Sequence, residues 1–259
     1  MDPRAYLLDL DGTLYAGGAA IPGAPEALAR LRKREVPYRM VTNTTSRSRA
    51  MLVQRLRDYG FQVSPEEVYT ATLAGADVAK DAGYRSVAPF VPELALSDMG
   101  DLELCGGTSG RSPVRTPDAV LVGDLGERWT YALMQEAFDY LMSGAGLIAL
   151  SRDRYWLDAG RLALDAGPFV AGLEFAAGRS AVVAGKPSAA FYAAALRSLG
   201  LDTPGSVAMV GDDLWSDVQG AQRAGLEGWL VRTGKYREAV LRESGIRPDR
   251  TLDSIAVLA

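Results

Sequence analysis

The sequence contains no histidine among its 259 residues and only one cysteine, Cys105. Without histidine, a Ser-His-Asp or Cys-His nucleophile, a phosphohistidine intermediate and a His-ligated zinc site are all excluded. Acid–base chemistry therefore falls to carboxylates, Lys, Tyr or Cys, and any bound metal is expected to be an oxygen-ligated ion such as Mg²⁺. The single cysteine excludes an intramolecular disulfide and fits a reducing compartment.

Strong net charge and long apolar runs are missing as well. The net charge is −4 with no basic block, which argues against nucleic acid or an anionic membrane as the main partner. The apolar stretch LMSGAGLIAL is too short and too glycine-rich to span a bilayer, and no N-terminal segment has the pattern of a signal peptide. We therefore expect a cytoplasmic protein, and its ordinary composition is that of a soluble domain with a sizeable core.

What the sequence does contain is an alternation of strand and helix patterns near both ends. Strands are predicted in AYLLDLD, PYRMVTN, AVVAGKP, VAMVGDD and EGWLVRTG, with helical patterns such as APEALARLRKR and AAFYAAALRSLG between them. This alternation predicts an α/β fold with a doubly wound, parallel-sheet, Rossmann-like core. The middle region, 72–179, has its own strands and a long helix, and it is too long to be a connection. We predict a core of residues 1–71 and 180–259 and an inserted α/β cap domain at 72–179.

Asp9 and Asp11 follow a strand that should be buried, in the stretch YLLDLDGTLY. Asp-Gly between apolar runs is also a strong β-hairpin signal, so a simple hairpin is one interpretation. A calcium loop is weaker, because Leu7 and Gly18 would then stand where carboxylates are required. The functional interpretation is that the two carboxylates point to the same face at a strand's end, where they can share a metal or divide the work of nucleophile and acid.

Three further strand ends carry polar side chains. Thr42 and Asn43 follow one strand, Lys186 follows another, and Asp212 and Asp213 follow a third, with Asp217 at the start of the next helix. Each has a structural explanation, as a helix cap, a solvated loop residue or a turn former. In an open parallel sheet, however, ligands bind outside the carboxyl ends of the strands. The combination therefore predicts one shared site.

The set DLDGTLY, VTNTT, GKP and GDDLWSD, in that order, resembles the haloacid dehalogenase-like hydrolase superfamily. The position of the inserted region resembles the class with a large α/β cap. VTNTT, VVAGKP and VRTGKY are most similar to the branch that contains phospholysine phosphohistidine inorganic pyrophosphate phosphatase. The nitrophenyl phosphatase branch usually has Thr-Asn-x-Asp in a cap loop, where this sequence reads LSRDRYW, so the substrate of that branch is not carried over.

The resemblance implies a Mg²⁺-dependent phosphatase that forms an aspartyl-phosphate on Asp9, with Asp11 as general acid and then base. It implies that Thr42 and Asn43 hold the phosphoryl oxygens and that Lys186 neutralises charge on the phosphate and on Asp9. Mg²⁺ would be held by the Asp9 carboxylate, the Asp11 carbonyl and Asp212, while Asp213 and Asp217 orient ligands and waters. Asp11 itself disfavours carbon–halogen cleavage, since true dehalogenases lack this second Asp.

The expected substrate is a small phosphorylated metabolite, because a cap of this size would close over the site and exclude water. A homodimer is also expected as one option, as capped relatives often dimerise.

Four residues of the cap have two open interpretations, contact with substrate or packing: Arg152, Arg154, Tyr155 and Trp156. A phosphotransferase or mutase of the same fold, or a phosphate-binding module without turnover, is the alternative function.

Two other patterns are weaker. Cys105 and Arg111 have the C-x5-R spacing of cysteine-dependent phosphatases, but Pro113 and Pro117 disfavour the helix that such a loop requires. Lys235, in RTGKY, lacks the upstream glycine spacing of a P-loop and is interpreted as a loop residue.

Overall fold

The computed structural model describes residues 3–112, 115–158 and 161–258. In chain order its strands are β1 (Ala5–Asp9), β2 (Tyr15–Ala16), β3 (Ala19–Ala20), β4 (Tyr38–Thr42), β5 (Val68–Thr70), β6 (Ser86–Phe90), β7 (Glu103–Leu104), β8 (Ala119–Val122), β9 (Gly146–Ala149), β10 (Tyr155–Asp158), β11 (Arg161–Leu164), β12 (Val182–Val183), β13 (Val207–Gly211), β14 (Glu227–Val231) and β15 (Arg250–Leu252). Its α-helices are α1 (Ala24–Lys33), α2 (Arg49–Asp58), α3 (Ala71–Asp81), α4 (Tyr131–Met142), α5 (Ala166–Ala177), α6 (Ala189–Ser198), α7 (Gly220–Arg223) and α8 (Glu238–Ser244).

Residue contacts divide the chain into two compact units. The first consists of Met1–Thr42, Ala50–Tyr69 and Lys186–Ala259, and the second consists of Asn43–Arg49 and Thr70–Gly185. The second unit thus lies, in the sequence, between segments of the first. The exact core and cap boundaries given above, 1–71, 180–259 and 72–179, stay a prediction.

The first unit is built on a six-stranded sheet with the order β15-β14-β13-β1-β4-β5. The central strand β1 pairs in parallel with β13 and with β4, so that Leu8 lies opposite Val210 on one side and Met40 on the other. All five residues of β1 are buried, as expected for a strand covered on both faces. The sheet therefore places the carboxyl ends of β1, β4 and β13 side by side.

Local sequence signals set the ends of the helices in this unit. Ser188 caps α6, since its hydroxyl accepts a hydrogen bond from the backbone N–H of Phe191 at 3.1 Å. Gly60, just beyond α2, has a φ of +89°, a conformation that favours glycine. The glycine thereby allows the chain to turn away at the end of the helix.

The second unit has its own parallel sheet, with the order β12-β9-β8-β6-β7. Thr130 caps α4 by accepting from the backbone N–H of Leu133, and α4 and α5 pack on the sheet around a buried apolar cluster. The ring of Trp129 stacks between Phe90 and Phe169, with centroid distances of 5.7 and 4.9 Å. Two parallel sheets with packed helices confirm the predicted α/β fold class.

Within the described ranges, none of the helices combines the length and the apolar character needed to cross a bilayer.

Candidate active site

The predicted strand-end residues of the first unit lie at one edge of its sheet. Asp9 is the last residue of β1, Thr42 is the last of β4, and Asp212 directly follows β13. In the parallel register Asp9 lies opposite Val41, so buried Thr42 lies one residue further along the neighbouring strand. Since carboxyl ends of parallel strands share an edge, the sheet brings these three side chains to the same place.

The prediction that Lys186 follows a strand of the core sheet is wrong, because the strand before it, β12, pairs with β9 in the sheet of the second unit. Lys186 itself belongs to the first unit and joins this group through two buried ion pairs. Its Nζ lies 2.5 Å from Asp9 Oδ1 and 2.6 Å from Asp217 Oδ1. The Lys186 side chain is only 3% exposed, so solvent screens these charges little. A buried ammonium group held between two carboxylates is fixed in position and offsets part of the negative charge beside Asp9.

Asp217 is held by the turn that follows β13. It lies in a π-helix, Leu214–Gln219, a local widening that occurs often at functional sites. Its Oδ2 accepts a hydrogen bond from the backbone N–H of Asp213 at 3.1 Å. A Cβ atom at Gly211 would fall 2.1 Å from the same oxygen, so this approach requires glycine. Both oxygens of Asp217 are therefore engaged by the protein.

Asp213 caps the π-helix from the rim of the site. One of its oxygens accepts from the backbone N–H groups of Trp215 and Ser216, each at 3.0 Å. The other lies 2.9 Å from Nζ of Lys235. Burial raises the pKa of Asp213, but the charge of Lys235 and these hydrogen bonds outweigh it, so the pKa lies below its usual range.

The buried carboxylates could hold a metal ion. Asp9, Asp212 and Asp217 each offer one carboxylate oxygen, and these oxygens lie within 4.8 Å of one another. When all three are ionised, they place three negative charges against the single positive charge of Lys186. A divalent cation would balance the difference, and carboxylate oxygens are the ligands that hard divalent ions prefer. The residues present therefore fit such an ion.

The pKa values of the carboxyl groups also indicate that these residues fit a divalent cation. Burial raises the pKa of Asp9 well above its usual value; Lys186 opposes this rise, while Asp217 and Asp212 add to it. Burial and the charge of Asp217 raise the pKa of Asp212 to about 7. For Lys186, burial lowers the pKa, but Asp217 and Asp9 outweigh burial and raise it well above its usual value. The cluster thus keeps its ammonium charged, while the raised pKa values of Asp9 and Asp212 indicate that the negative charge of these carboxylates is only partly compensated.

Asp11 differs from these buried groups in its exposure. Its carboxylate is exposed, and Oδ2 accepts a hydrogen bond from the hydroxyl of Tyr15 at 3.1 Å. Tyr15 is buried and its ring packs on Tyr59, with a centroid distance of 5.5 Å. An exposed carboxylate that is held in place by a hydrogen bond can exchange protons with a substrate and with water.

The remaining predicted residues belong to the second unit. Asn43 is the first residue of that unit, and its Nδ2 lies 3.4 Å from Asp153 Oδ2. Arg152 forms an ion pair of 2.7 Å with Glu174, and the guanidinium of Arg154 lies 5.7 Å from the ring centroid of Tyr155. The side chain of Trp156 lies outside the described residues.

Two residues near the carboxylates were missed by the sequence reasoning. Lys235 was interpreted as a loop residue, but its backbone N–H donates to Asp212 Oδ2 at 2.6 Å. Tyr192, on α6, is fully buried, and its hydroxyl donates to the backbone carbonyls of Ser216 and Asp217. Only an apolar face was visible for α6 in the sequence, and that pattern cannot distinguish a packing tyrosine from an anchoring one.

The C-x5-R pattern does not form a phosphate loop. Cys105 is buried, and burial raises the pKa of its thiol. The described residues between Arg111 and β8 include no helix, while Pro113 lies outside the described residues. Without helix N-terminal amides and a thiolate, this segment lacks the parts that a cysteine-dependent phosphatase needs.

Comparisons with known proteins identify the family. Residues 6–102 match the family model of haloacid dehalogenase-like hydrolases, and residues 183–258 match a second, HAD-hydrolase-like model. The bovine (Bos taurus) haloacid dehalogenase-like hydrolase domain-containing protein 2 is 41% identical over 91% of this chain and 86% of its own length. Human phospholysine phosphohistidine inorganic pyrophosphate phosphatase is 37% identical over 98% of this chain and 92% of its own.

A solved structure agrees with these relatives. The p-nitrophenyl phosphatase from Archaeoglobus fulgidus matches with a TM-score of 0.88 and 28% identity, covering 99% of this chain and 98% of that one. The family and the branch inferred from the four motifs are thus confirmed. The chain belongs to the haloacid dehalogenase-like hydrolases.

Proposed function

We propose that the protein is a Mg²⁺-dependent phosphatase that hydrolyses small phosphorylated metabolites through an aspartyl-phosphate on Asp9. The observation that carries this proposal is the buried contact of Asp9 with Lys186, at 2.5 Å, inside a group of carboxylates able to hold a divalent ion. A nucleophile beside a fixed ammonium group suits an anionic substrate. The names of the human relative and of the Archaeoglobus structure, both phosphatases, support the same chemistry.

In the first half-reaction, a carboxylate oxygen of Asp9 attacks phosphorus. The new O–P bond forms as the bond to the leaving group breaks, and the Asp11 carboxyl gives its proton to the leaving oxygen. We assign the phosphoryl oxygens to the hydroxyl of Thr42 and the amide of Asn43. Lys186 offsets the negative charge that gathers beside Asp9.

In the second half-reaction, Asp11, now ionised, takes a proton from water. The water oxygen attacks phosphorus, the bond to Asp9 breaks, and orthophosphate leaves with the carboxylate restored. Asp11 is well suited to this exchange because it is exposed and held by Tyr15 rather than buried among the other carboxylates.

We assign the Mg²⁺ ligands to the Asp9 carboxylate, the Asp11 backbone carbonyl and Asp212. When bound, Mg²⁺ supplies positive charge to the phosphoryl group and to the carboxylates around it. Asp217 is assigned a positioning role, because Lys186 and the Asp213 N–H already engage its two oxygens. Asp213 is assigned the same role, as the cap of the π-helix that carries Asp217.

We also propose that residues 72–179 act as the cap of this enzyme and that its substrates are small metabolites. The human relative is named for phospholysine, phosphohistidine and inorganic pyrophosphate, and this supports testing phosphoramidates and pyrophosphate beside phosphomonoesters.

The proposal is tested by measuring phosphate release from a panel of small phosphomonoesters, pyrophosphate and phosphoramidates, with Mg²⁺ and with chelator. Asp9→Asn should reduce release by at least about 10⁴-fold, the scale expected when a covalent nucleophile is removed. The control is Asp202→Asn, the same change at an exposed carboxylate, which should leave release within about twofold.

Turnover that survives Asp9→Asn in a folded protein would refute the assignment of the nucleophile. Transfer of the phosphoryl group to an added alcohol, in preference to water, would indicate a phosphotransferase. Binding of Mg²⁺ and phosphate without turnover on any substrate would indicate a binding module.

A further inference from the structure

The loop that follows β14 reaches the carboxylate of Asp212. β14 lies beside β13 in the sheet, with Leu230 opposite Gly211, so its carboxyl end opens next to Asp212. The loop contains Thr233, Gly234 and Lys235. None of the three was assigned a role from the sequence, and none belongs to the catalytic set proposed above.

One oxygen of Asp212 is enclosed by backbone atoms. The backbone N–H of Lys235 donates to Asp212 Oδ2 at 2.6 Å. A Cβ atom at Gly234 would fall 1.9 Å from that oxygen, and one at Gly12 would fall 2.0 Å from it. Asp212 Oδ2 therefore sits in a notch between two glycine backbones, and neither position has room for a methyl group.

The two sides of the notch are tied to each other. The hydroxyl of Thr233 donates to the backbone carbonyl of Gly12, and the Cβ position of Gly234 would lie 2.6 Å from Gly12 Cα. The side chain of Lys235 adds a second tie, because its Nζ lies 2.9 Å from Asp213 Oδ2. The loop after β14 and the turn after β1 are thus linked to each other and together enclose the carboxylate of Asp212.

We propose that Gly12, Thr233, Gly234 and Lys235 form a clamp that fixes the Asp212 carboxylate and so sets the affinity of the site for its divalent cation. The proposal rests on the proposed function, in that Asp212 is taken as a metal ligand. The clamp engages Oδ2, and we assign the other oxygen of Asp212 to the cation. Because the protein has already fixed this ligand, binding the cation costs less loss of side-chain freedom.

The clamp is tested by titrating Mg²⁺ into the metal-free, full-length protein in a calorimeter. Gly234→Ala places a methyl group against Asp212 Oδ2 and should weaken Mg²⁺ binding at least about tenfold, the lower end of the effect of removing a residue that orients a metal ligand. The matched control is Gly245→Ala. Gly245 has a similar φ, +69° against +59°, but nothing lies within 4 Å of its Cβ position.

Both alanine variants carry a similar backbone strain, but only Gly234→Ala also meets Asp212 and the backbone of Gly12. Its metal-free unfolding temperature should therefore be the lower of the two, and only its Mg²⁺ affinity should fall. Lys235→Met keeps the backbone N–H and should weaken binding less than Gly234→Ala. Thr233→Val keeps the shape but loses the hydroxyl, and should weaken binding roughly threefold to tenfold, since it removes one tie between the two sides of the notch.

Wild-type affinity in a folded Gly234→Ala protein would overturn the clamp. If Gly234→Ala does not fold, Thr233→Val is the deciding variant. Wild-type Mg²⁺ affinity in Thr233→Val would then overturn the clamp. A wild-type protein that binds Mg²⁺ but releases no phosphate contradicts only the proposed function, because the affinities still test the clamp. A wild-type protein that binds no Mg²⁺ overturns both.

Discussion

The two units of this protein contain the same kind of sheet, yet only one of them places charge at its strand ends. In the first unit Asp9 and Thr42 end their strands, and Asp212 follows the third. In the second unit the corresponding strands β6, β8 and β9 end in buried apolar side chains, namely Phe90, Val122 and Ala149. A parallel sheet provides an edge where side chains can meet, and the residues placed there determine whether it becomes a site.

The buried carboxylates show the same contrast. Among the described residues they are Asp9, Asp212 and Asp217 in the first unit and Asp98 in the second. Asp98 stands alone and accepts a hydrogen bond of 2.7 Å from the backbone N–H of Arg49. A single buried carboxylate that is satisfied by the backbone has a structural explanation. Three whose oxygens lie within 4.8 Å of one another, two of them paired with the same ammonium group, require a function to explain them.

Of the changes that test this contrast between the units, removing that ammonium group should have the largest effect. Lys186→Met leaves Asp9 and Asp217 buried without their partner, and should reduce phosphate release by at least about 10²-fold. Breaking buried pairs in this way should also lower the free energy of unfolding by about 3–5 kcal/mol at pH 7. Urea unfolding of the metal-free protein measures the second effect, and an unchanged midpoint would show that the pairs are not buried as described.

A smaller effect is expected in the second unit. Asp98→Ala leaves the Arg49 N–H without its acceptor and should lower the free energy of unfolding by about 1–3 kcal/mol. Phosphate release per folded molecule should stay within about twofold, because the effect of a buried polar group can remain confined to stability. The nearby control is Asp101→Ala, whose exposed pair with Lys80 is screened by solvent and should contribute little to stability. A large loss of turnover in folded Asp98→Ala would contradict the view that the buried carboxylate of the second unit serves stability alone.

The smallest effect should depend on pH. The backbone N–H groups of Arg85 and Ser86 lower the pKa of Asp118 to about 2. Because its folded pKa lies below its unfolded value, Asp118 stabilises the protein above about pH 4, and this contribution is lost as pH falls through about 2. After allowance for solvent screening, Asp118→Asn should cost about 1 kcal/mol at pH 7.

The measurement for Asp118 is urea unfolding of both proteins at several values of pH. The difference between wild type and Asp118→Asn should shrink as the pH is lowered from 7 toward 2. A difference that stays constant with pH would mean that the ionised carboxylate is not what the two N–H groups bind.

Much of this site could be predicted because its residues follow apolar strands in the sequence. Period-two strands locate Asp9, Thr42 and Asp212, and the shared edge of a parallel sheet brings them together. The local sequence does not determine the order of the strands in the sheet. The contact of Lys235 with Asp212 therefore could not be predicted. It depends on β14 lying beside β13. The hydroxyl of Tyr192 was missed for a similar reason, since its partners are backbone carbonyls of a distant turn.

The close approach of carboxylates to glycine backbones restricts how this protein can diversify. Gly12 and Gly234 crowd Asp212, and Gly211 crowds Asp217, with less than 2.2 Å left for an added carbon in each case. A library of random variants should lose most members at these three positions and fewer at Gly17 and Gly18, where the space is open and a side chain meets only the strain of a positive φ. New substrate preferences must then arise through substitutions around the carboxylates of Asp9, Asp212 and Asp217, while these carboxylates and the glycines beside them stay almost unchanged.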